Sequence, residues 1–188
     1  GVAHGDLSGP NIMIRDNRPV LVDYDTMYFK EDGRRAKTID GTLPFQHPGR
    51  GVHPYMELCC DYFSHHVIYV TLLILAEMPD ARDEVDPREK LYFEREDMLS
   101  ASEFDTSPNT RRARALRNDA INKELDIIGK ALRGKYLDVP PLSAATASPA
   151  EHARTKAAFC TTCGRRFGAS EDEFNFCTTC GSPRLIIS

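Results

Sequence analysis

The sequence predicts an α+β chain: a mainly helical body with one small β-hairpin near its start, and then a small β module organised by cysteines. Three observations predict this. Two apolar runs, Ile12-Met13-Ile14 and Pro19-Val20-Leu21-Val22, flank a polar gap holding Asp16 and Asn17. Farther on, apolar residues recur at helical spacing through two long stretches. Near the end, Cys-x-x-Cys-Gly occurs twice.

Asp-Asn between two apolar runs is turn chemistry, so those runs pair as a hairpin. Before the hairpin lies a polar Gly/Pro loop, His4-Gly5-Asp6-Leu7-Ser8-Gly9-Pro10-Asn11. Asp6 and Asn11 are five positions apart, and such a loop can point both side chains the same way. The hairpin then returns the chain to Asp23 beside that loop. Two carboxylates and one amide oxygen converge. Hard oxygen ligands of this kind suit Mg²⁺, which takes few protein ligands and completes its shell with water and phosphate oxygens.

Residues 30–40 are polar and basic, with Gly33, Arg34, Arg35 and Lys37, and carry no period; a mobile loop is expected. Residues 55–77 read as a helix, on Leu58, Tyr62, His65 or His66, Tyr69 and Leu73, apolar nearly all round at its end and therefore buried. Cys59 and Cys60 have no second pair at metal spacing and read as buried inert thiols. Residues 79–87 form an acidic loop, and residues 90–100 a short helix or turn. Thr106-Ser107-Pro108-Asn109 is a helix-start signal. The helix it opens, from Thr110 to about Leu132, carries an apolar stripe of Ala113, Leu116, Ala120, Ile121, Leu125, Ile128 and Leu132. Arg111, Arg112, Arg114 and Arg117 form its solvated face, and Gly134 stops it. Three segments follow from this reading: a body over 1–137, a Pro/Ala-rich linker over 138–158 and a cysteine module over 159–188.

In that module Cys160, Cys163, Cys177 and Cys180 form two knuckles with thirteen residues between the pairs, enough for a hairpin. Four thiolates at this spacing read as a closed structural Zn²⁺ site; two disulfides in a secreted protein are the alternative. Phe159, Phe167, Phe174 and Phe176 cover the metal or line the hairpin, or, if exposed, offer a partner surface.

Composition sets outer bounds. The 188 residues are 41% hydrophobic and 28% charged, the proportions of a soluble globular protein. A net charge of −4 argues against a general nucleic-acid-binding surface. The most apolar run, residues 67–76, is too short to span a bilayer, so no membrane partner is expected. The chain opens on Gly1, one step before its first motif, which reads as a fragment or a trimmed product.

His4-Gly5-Asp6-Leu7 with Asn11, a strand pair, and Asp23-Tyr24-Asp25 together resemble the catalytic core of the protein-kinase-like fold, H-R-D-L-x-x-x-N followed by D-F-G. The stretch Gly41-Thr42-Leu43-Pro44-Phe45-Gln46-His47-Pro48-Gly49 is similar to the family's G-T-x-x-Y-x-A-P-E. Asp61, Phe63, Ser64, Val67 and Tyr69 follow its D-x-W-S-x-G-V-x-x-Y, with His66 at the glycine position. The Asp-Tyr-Asp variant, the Gln-His-Pro segment and the terminal ribbon look like a group of bacterial kinase-like proteins.

The resemblance implies a kinase-like C-lobe and ATP-dependent phosphotransfer in the cytoplasm. It implies that Asp6 is the catalytic base, that Asn11 and Asp23 hold Mg-ATP, and that Asp61 braces the catalytic loop through backbone hydrogen bonds. No Gly-rich loop, strand lysine or glutamate partner can be assigned in these residues, so phosphotransfer is attributed to an intact parent protein, with this fragment expected to be inactive alone. Departures from the pattern are Gly5 for the arginine before the base, Ser8 for the following lysine, Asp25 for the D-F-G glycine and Gly49 for the A-P-E glutamate. Gly5-Asp6 is also the form found in small-molecule phosphotransferases similar to aminoglycoside kinases. Three functions therefore stand: a Ser/Thr protein kinase-like enzyme whose ribbon binds a protein partner, a small-molecule phosphotransferase, and a non-catalytic pseudokinase scaffold.

Overall fold

β2 (Ile12–Arg15) pairs antiparallel with β3 (Arg18–Leu21), in register from Ile12 opposite Leu21 to Arg15 opposite Arg18. The chain reverses at Asp16, whose φ of 50° is the left-handed conformation that Asp tolerates in tight hairpin turns. A second short pair, β1 (Val2–Ala3) with β4 (Tyr28–Phe29), closes the segment on itself. The polar loop is thus held between β1 and β2, and residues 22–27 between β3 and β4.

The computed structural model describes residues 1–16, 18–84, 91–143, 155–156, 162–163, 165, 176–177, 179–182 and 186–187. It divides into two units, Gly1–Thr146 and Ala147–Ser188. The chain is α+β: among the described residues it has four α-helices and small two-stranded antiparallel sheets.

In the first unit, α1 (Tyr62–Glu77) follows a 3-10 turn at Leu58–Asp61. The helix predicted from residue 55 thus becomes α-helical only at Tyr62; the amide of Cys60 bonds the carbonyl of Glu57, the tighter pattern common at helix starts. α1 is not buried all round: Phe63, Val67, Val70 and Ile74 are inside, whereas Leu72 is 60% exposed. By length and composition Leu58–Glu77 could cross a membrane; here half of that window is buried inside the domain, as in the core helix of a folded unit.

α2 (Ala101–Thr106) has Ser100 as its N-cap, accepting from the amide of Glu103. α3 (Pro108–Arg114) has Ser107 as its cap and Pro108 in its first turn, as the helix-start signal predicts. The single helix predicted from 110 to 132 is two helices, because α4 (Asp119–Arg133) begins anew. Arg117 takes φ 54°, and the side chain of Asn118 accepts from the amides of Ala120 and Ile121. That local cap competes with continuation of α3. Gly134 ends α4 as expected.

Ile121, Leu125 and Ile128 of α4 pack with Phe63, Val67, Val70 and Ile74 of α1 and with Phe93, Met98 and Phe104. Each such side chain, fully removed from water, contributes roughly 1.5–3 kcal/mol. Glu124 lies on the same buried face, paired at 2.6 Å with His66 Nδ1, while His66 Nε2 donates to the carbonyl of Pro140 at 3.0 Å. Val139 also joins the core. The first residues of the expected linker are therefore packed on the body.

Residues 30–40, read from sequence as an unanchored basic loop, are tied down by their own cations. Arg35 donates to the carbonyls of Thr26 and Met27, Lys37 to those of Arg50 and Gly51, and Arg34 stacks 3.7 Å over the Tyr55 ring. Ala36 also makes a bridge to Tyr55.

In the second unit β5 (Thr155–Lys156) pairs antiparallel with β6 (Ile186–Ile187).

Candidate functional site

The polar loop between β1 and β2 is held from below by a buried acid. Asp61, 5% exposed, accepts the amide of His4 at 2.5 Å on one oxygen and the amide of Gly5 at 3.0 Å on the other. Two amides satisfy a carboxylate that burial alone would penalise. The His4 ring spans the loop. Its Nε2 lies 2.9 Å from the carbonyl of Val22, which can only accept, so Nε2 carries the proton and Nδ1 is left to receive the amide of Asp6 at 3.4 Å.

Gly5 has φ 88°, and a Cβ there would lie 2.5 Å from the carbonyl oxygen of Thr26. The loop passes too close to residue 26 for any side chain. Thr26 in turn donates its hydroxyl to the carbonyl of His4 at 2.9 Å.

Asp6 is turned away from this brace. The amide of Thr42 donates to its Oδ1 at 2.9 Å, and the Thr42 hydroxyl lies 3.4 Å from Oδ2. Asn11, buried, donates Nδ2–H to the carbonyl of Asp6 at 2.8 Å. The carbonyl of Asn11 accepts the amide of Val22 at 3.0 Å. Two consecutive hydrogen bonds thus run from Asp6 through Asn11 to the residue before Asp23. Asp23 takes φ 63° and opens the turn Tyr24–Thr26 with an exposed side chain.

Among the described residues, neither Asn11 Oδ1 nor the Asp23 carboxylate takes part in a hydrogen bond or ion pair. An amide oxygen and a carboxylate left unengaged are the hard donors that Mg²⁺ takes. Asp25, also exposed, lies two residues on.

Sequence reasoning missed Arg50. It is 1% exposed and donates to the carbonyl of Gly5 and, at 2.7 Å, to Gln46 Oε1. Gln46 donates to Ser64 Oγ at 2.9 Å, and Ser64 to the carbonyl of Phe45 at 3.0 Å. Among the described residues no carboxylate lies within 4 Å of the Arg50 guanidinium. Its position has no period to reveal it, and the pairing is set by tertiary contact alone.

His47 is buried and neutral in its bonding. Nε2–H donates to the carbonyl of Ala131 at 3.0 Å, and Nδ1 accepts the amide of Gly49 at 2.9 Å. Burial pushes its pKa below the ordinary 6.5, with the Ala131 bond opposing. Cys60 is buried as the sequence predicts, and burial pushes its thiol up to about 12; Cys59 is only half-buried, and burial, then Glu57, pushes its thiol up as well.

Beside Asp6 opens a cavity of about 460 Å³, its walls including Asp40, Gly41, Thr42, Gln46, His47 and Arg95.

In the second unit the sulfurs of Cys163, Cys177 and Cys180 lie within 4.8 Å of one another, close enough to bind one metal ion. Cys160 lies outside the described residues. The sulfurs of Cys163 and Cys177 are 3.7 Å apart. A tetrahedron with bonds of about 2.3 Å has edges of about 3.8 Å, so this spacing fits a shared ion. Cys177 is also poised as a thiolate. The amide of Cys180, then that of Thr179, and the neighbouring Cys163 and Cys180 thiols lower its pKa to about 6 from 9.0, against the upward push of burial. Of the predicted covering aromatics only Phe176 is described, and it is half exposed.

A scan against protein-family models finds no match to this chain, and a search of curated proteins finds none.

Proposed function

We propose that residues 1–137 form the C-terminal lobe of a protein-kinase-like phosphotransferase, with Asp6 as catalytic base and Asn11 and Asp23 as the Mg-ATP ligands. The observation that carries this reading is the hydrogen-bonded run from Asp6 to Asn11 to Val22. It joins Asp6 to Asn11 and Asn11 to the residue before Asp23, and Asp61, the residue from which the resemblance expects that brace, holds the Asp6 loop from beneath.

In the intact parent protein Mg-ATP would supply the phosphoryl group, and this lobe supplies the base and the metal-holding oxygens. Asp6 orients the acceptor hydroxyl and takes its proton as the new bond forms. A carboxylate has about four lone-pair sites and Thr42 uses two, so acceptor and Thr42 can share it. Asn11 Oδ1 and Asp23 are the unengaged oxygens for the metal. The missing cation at Ser8 leaves Arg50, behind Gly5, as the nearest buried positive charge to the loop.

A peptide acceptor is favoured over a small molecule. Thr42 ties residues 41–49 to Asp6, as in a segment that presents a peptide hydroxyl. The cysteine cluster is read as a structural Zn²⁺ site with Cys160 as fourth ligand, in a reducing compartment such as the cytoplasm, and as the seat of a protein partner.

The test is transfer of labelled γ-phosphate by the intact parent protein to protein and aminoglycoside acceptors. Asp6→Asn should lower transfer by ~100-fold or more with an unchanged unfolding midpoint. Activity within a few-fold of the parent removes Asp6 as the base.

A further inference from the structure

We infer that the cavity beside Asp6 is a subsite for an acidic side chain of the acceptor, read by Arg95. The inference rests on the reading of Asp6 as the group that receives the acceptor hydroxyl.

Thr42 belongs to both places: it lines the cavity and bonds the Asp6 carboxylate at 2.9 Å. The cavity therefore starts one residue from the reacting group. An extended peptide advances about 3.3 Å per residue, so a side chain one or two positions from the acceptor hydroxyl falls within it.

The polar groups on its walls are nearly all engaged. Asp40 is ion-paired with Lys37. Gln46 is bonded to Arg50 and Ser64 through its two ends. Both nitrogens of His47 are used. Arg95 is the exception: among the described residues its exposed guanidinium has no hydrogen bond or ion pair. The nearby Asp97 carboxylate is turned elsewhere, accepting from the amide of Glu94 and from Asn109.

A second cation stands behind the wall. A Cβ on Gly41 would lie 2.8 Å from Arg50 Nη1, so the buried guanidinium sits directly beneath that lining residue. Its charge, without a carboxylate within 4 Å among the described residues, biases the cavity toward anions. Asp6, Asp40 and Asp97 equal Lys37, Arg50 and Arg95 in number, but Asp40 and Lys37 are paired with each other and Asp97 is engaged by Glu94 and Asn109. Among the described lining residues the one accessible guanidinium, that of Arg95, matches a single carboxylate. A phosphate, near −2 at pH 7, finds only one accessible guanidinium.

The experiment is fluorescence anisotropy of the 188-residue chain with serine peptides whose flanking residues are glutamate, glutamine, lysine or phosphoserine. The glutamate peptide should bind roughly fivefold more tightly than the glutamine peptide, the scale of one partly exposed charge pair. Lysine should bind more weakly than glutamine. Arg95→Ala should erase the glutamate preference, and Arg95→Glu should turn it toward lysine. The unfolding midpoint of each variant should match the parent, since Arg95 is exposed. Equal binding of the glutamate and glutamine peptides overturns the subsite, as does a preference that survives both Arg95 variants. A phosphoserine peptide that binds tenfold more tightly than glutamate overturns the carboxylate assignment. Binding needs no transfer. A glutamate preference lost in Arg95→Ala, beside an intact parent protein that transfers phosphate to no hydroxyl, upholds the subsite and removes the phosphotransfer reading alone.

Discussion

His4 and Asp61, 57 positions apart, are joined by a 2.5 Å hydrogen bond from the His4 amide to the buried carboxylate. With the Gly5 amide on the other oxygen at 3.0 Å, the contact fixes rotation of the loop as well as its position. A single bond would leave the loop free to roll. Two parallel amides on one carboxylate set which way residue 6 points, and it points to Thr42.

Asp61→Asn should therefore cost stability despite its equal size. One of the two amides would face an N–H₂ in place of an oxygen, leaving a buried donor unpaired. The expected loss is ~1.5–3 kcal/mol, read as a fall in urea midpoint at constant slope. A change under about 0.5 kcal/mol, the range of ordinary surface substitutions, would show that the loop is oriented by other contacts.

Gly5→Ala tests the same loop from its backbone. The residue would hold φ 88° with a Cβ 2.5 Å from the Thr26 oxygen. Strain alone costs of order 1–3 kcal/mol, and the Thr26 carbonyl, which also takes Arg35, must move as well. The measurement is the thermal midpoint, with Gly33→Ala as comparison: Gly33 also has positive φ, 66°, but nothing stands within 4 Å of its Cβ position. Equal losses in the two variants would mean that backbone strain alone matters and that the close approach of residue 26 does not.

What could be read from sequence was local. The hairpin follows from Asp16 in a two-residue gap, the start of α3 from Ser107-Pro108, and the sulfur cluster from paired spacings. The approach of Asp6, Asn11 and Val22 was legible because a loop and a hairpin of short span connect them. Arg50 was not, because its acceptors, a carbonyl at Gly5 and the amide of Gln46, leave no pattern in the chain. The His66–Glu124 pair did leave a trace: Glu124 falls on the apolar stripe between Ile121 and Leu125, where an acid needs a buried partner. The break at Arg117 was hidden because Asn118-Asp119 can continue a helix or cap one, and only the packing of α4 on α1 decides between them.

His47 gives the body an acid limit. Burial lowers its pKa in the folded protein below the ordinary 6.5, so above 6.5 it is neutral in both folded and unfolded chains and its contribution is complete. As pH falls below 6.5 the unfolded chain binds a proton that the folded chain resists, and that stability is lost. A proton on Nδ1 would also confront the Gly49 amide. The imidazole Cε1–H resonance should titrate with a midpoint under 6.5 in the folded protein. A midpoint at or above 6.5 would mean that the Ala131 carbonyl, holding Nε2–H, outweighs burial.

The cysteine module should take up one Zn²⁺ per chain and lose its order when a chelator removes it. With about thirty residues it has little apolar surface to bury, so metal binding, of order 10 kcal/mol or more, is the main source of its folding energy. The sign of its pH dependence follows from Cys177. The thiol is lowered from 9.0 to about 6 in the folded module, so the folded form sheds a proton that the unfolded form keeps between those values. The resulting stability is full above pH 9, declines as pH falls and is gone below about 6; competition between protons and metal for sulfur runs the same way. Metal affinity measured by chelator competition should thus weaken steeply from pH 8 to pH 6. Cys163→Ser removes a sulfur only 3.7 Å from that of Cys177 and should lower affinity by at least an order of magnitude. It should leave the unfolding midpoint of the first unit unchanged, because the hydrogen bonds around Asp61 and the α1–α4 core lie within residues 1–146. Reduced protein that holds no zinc yet keeps Cys163, Cys177 and Cys180 ordered would show that the sulfurs cluster by packing and turn geometry alone.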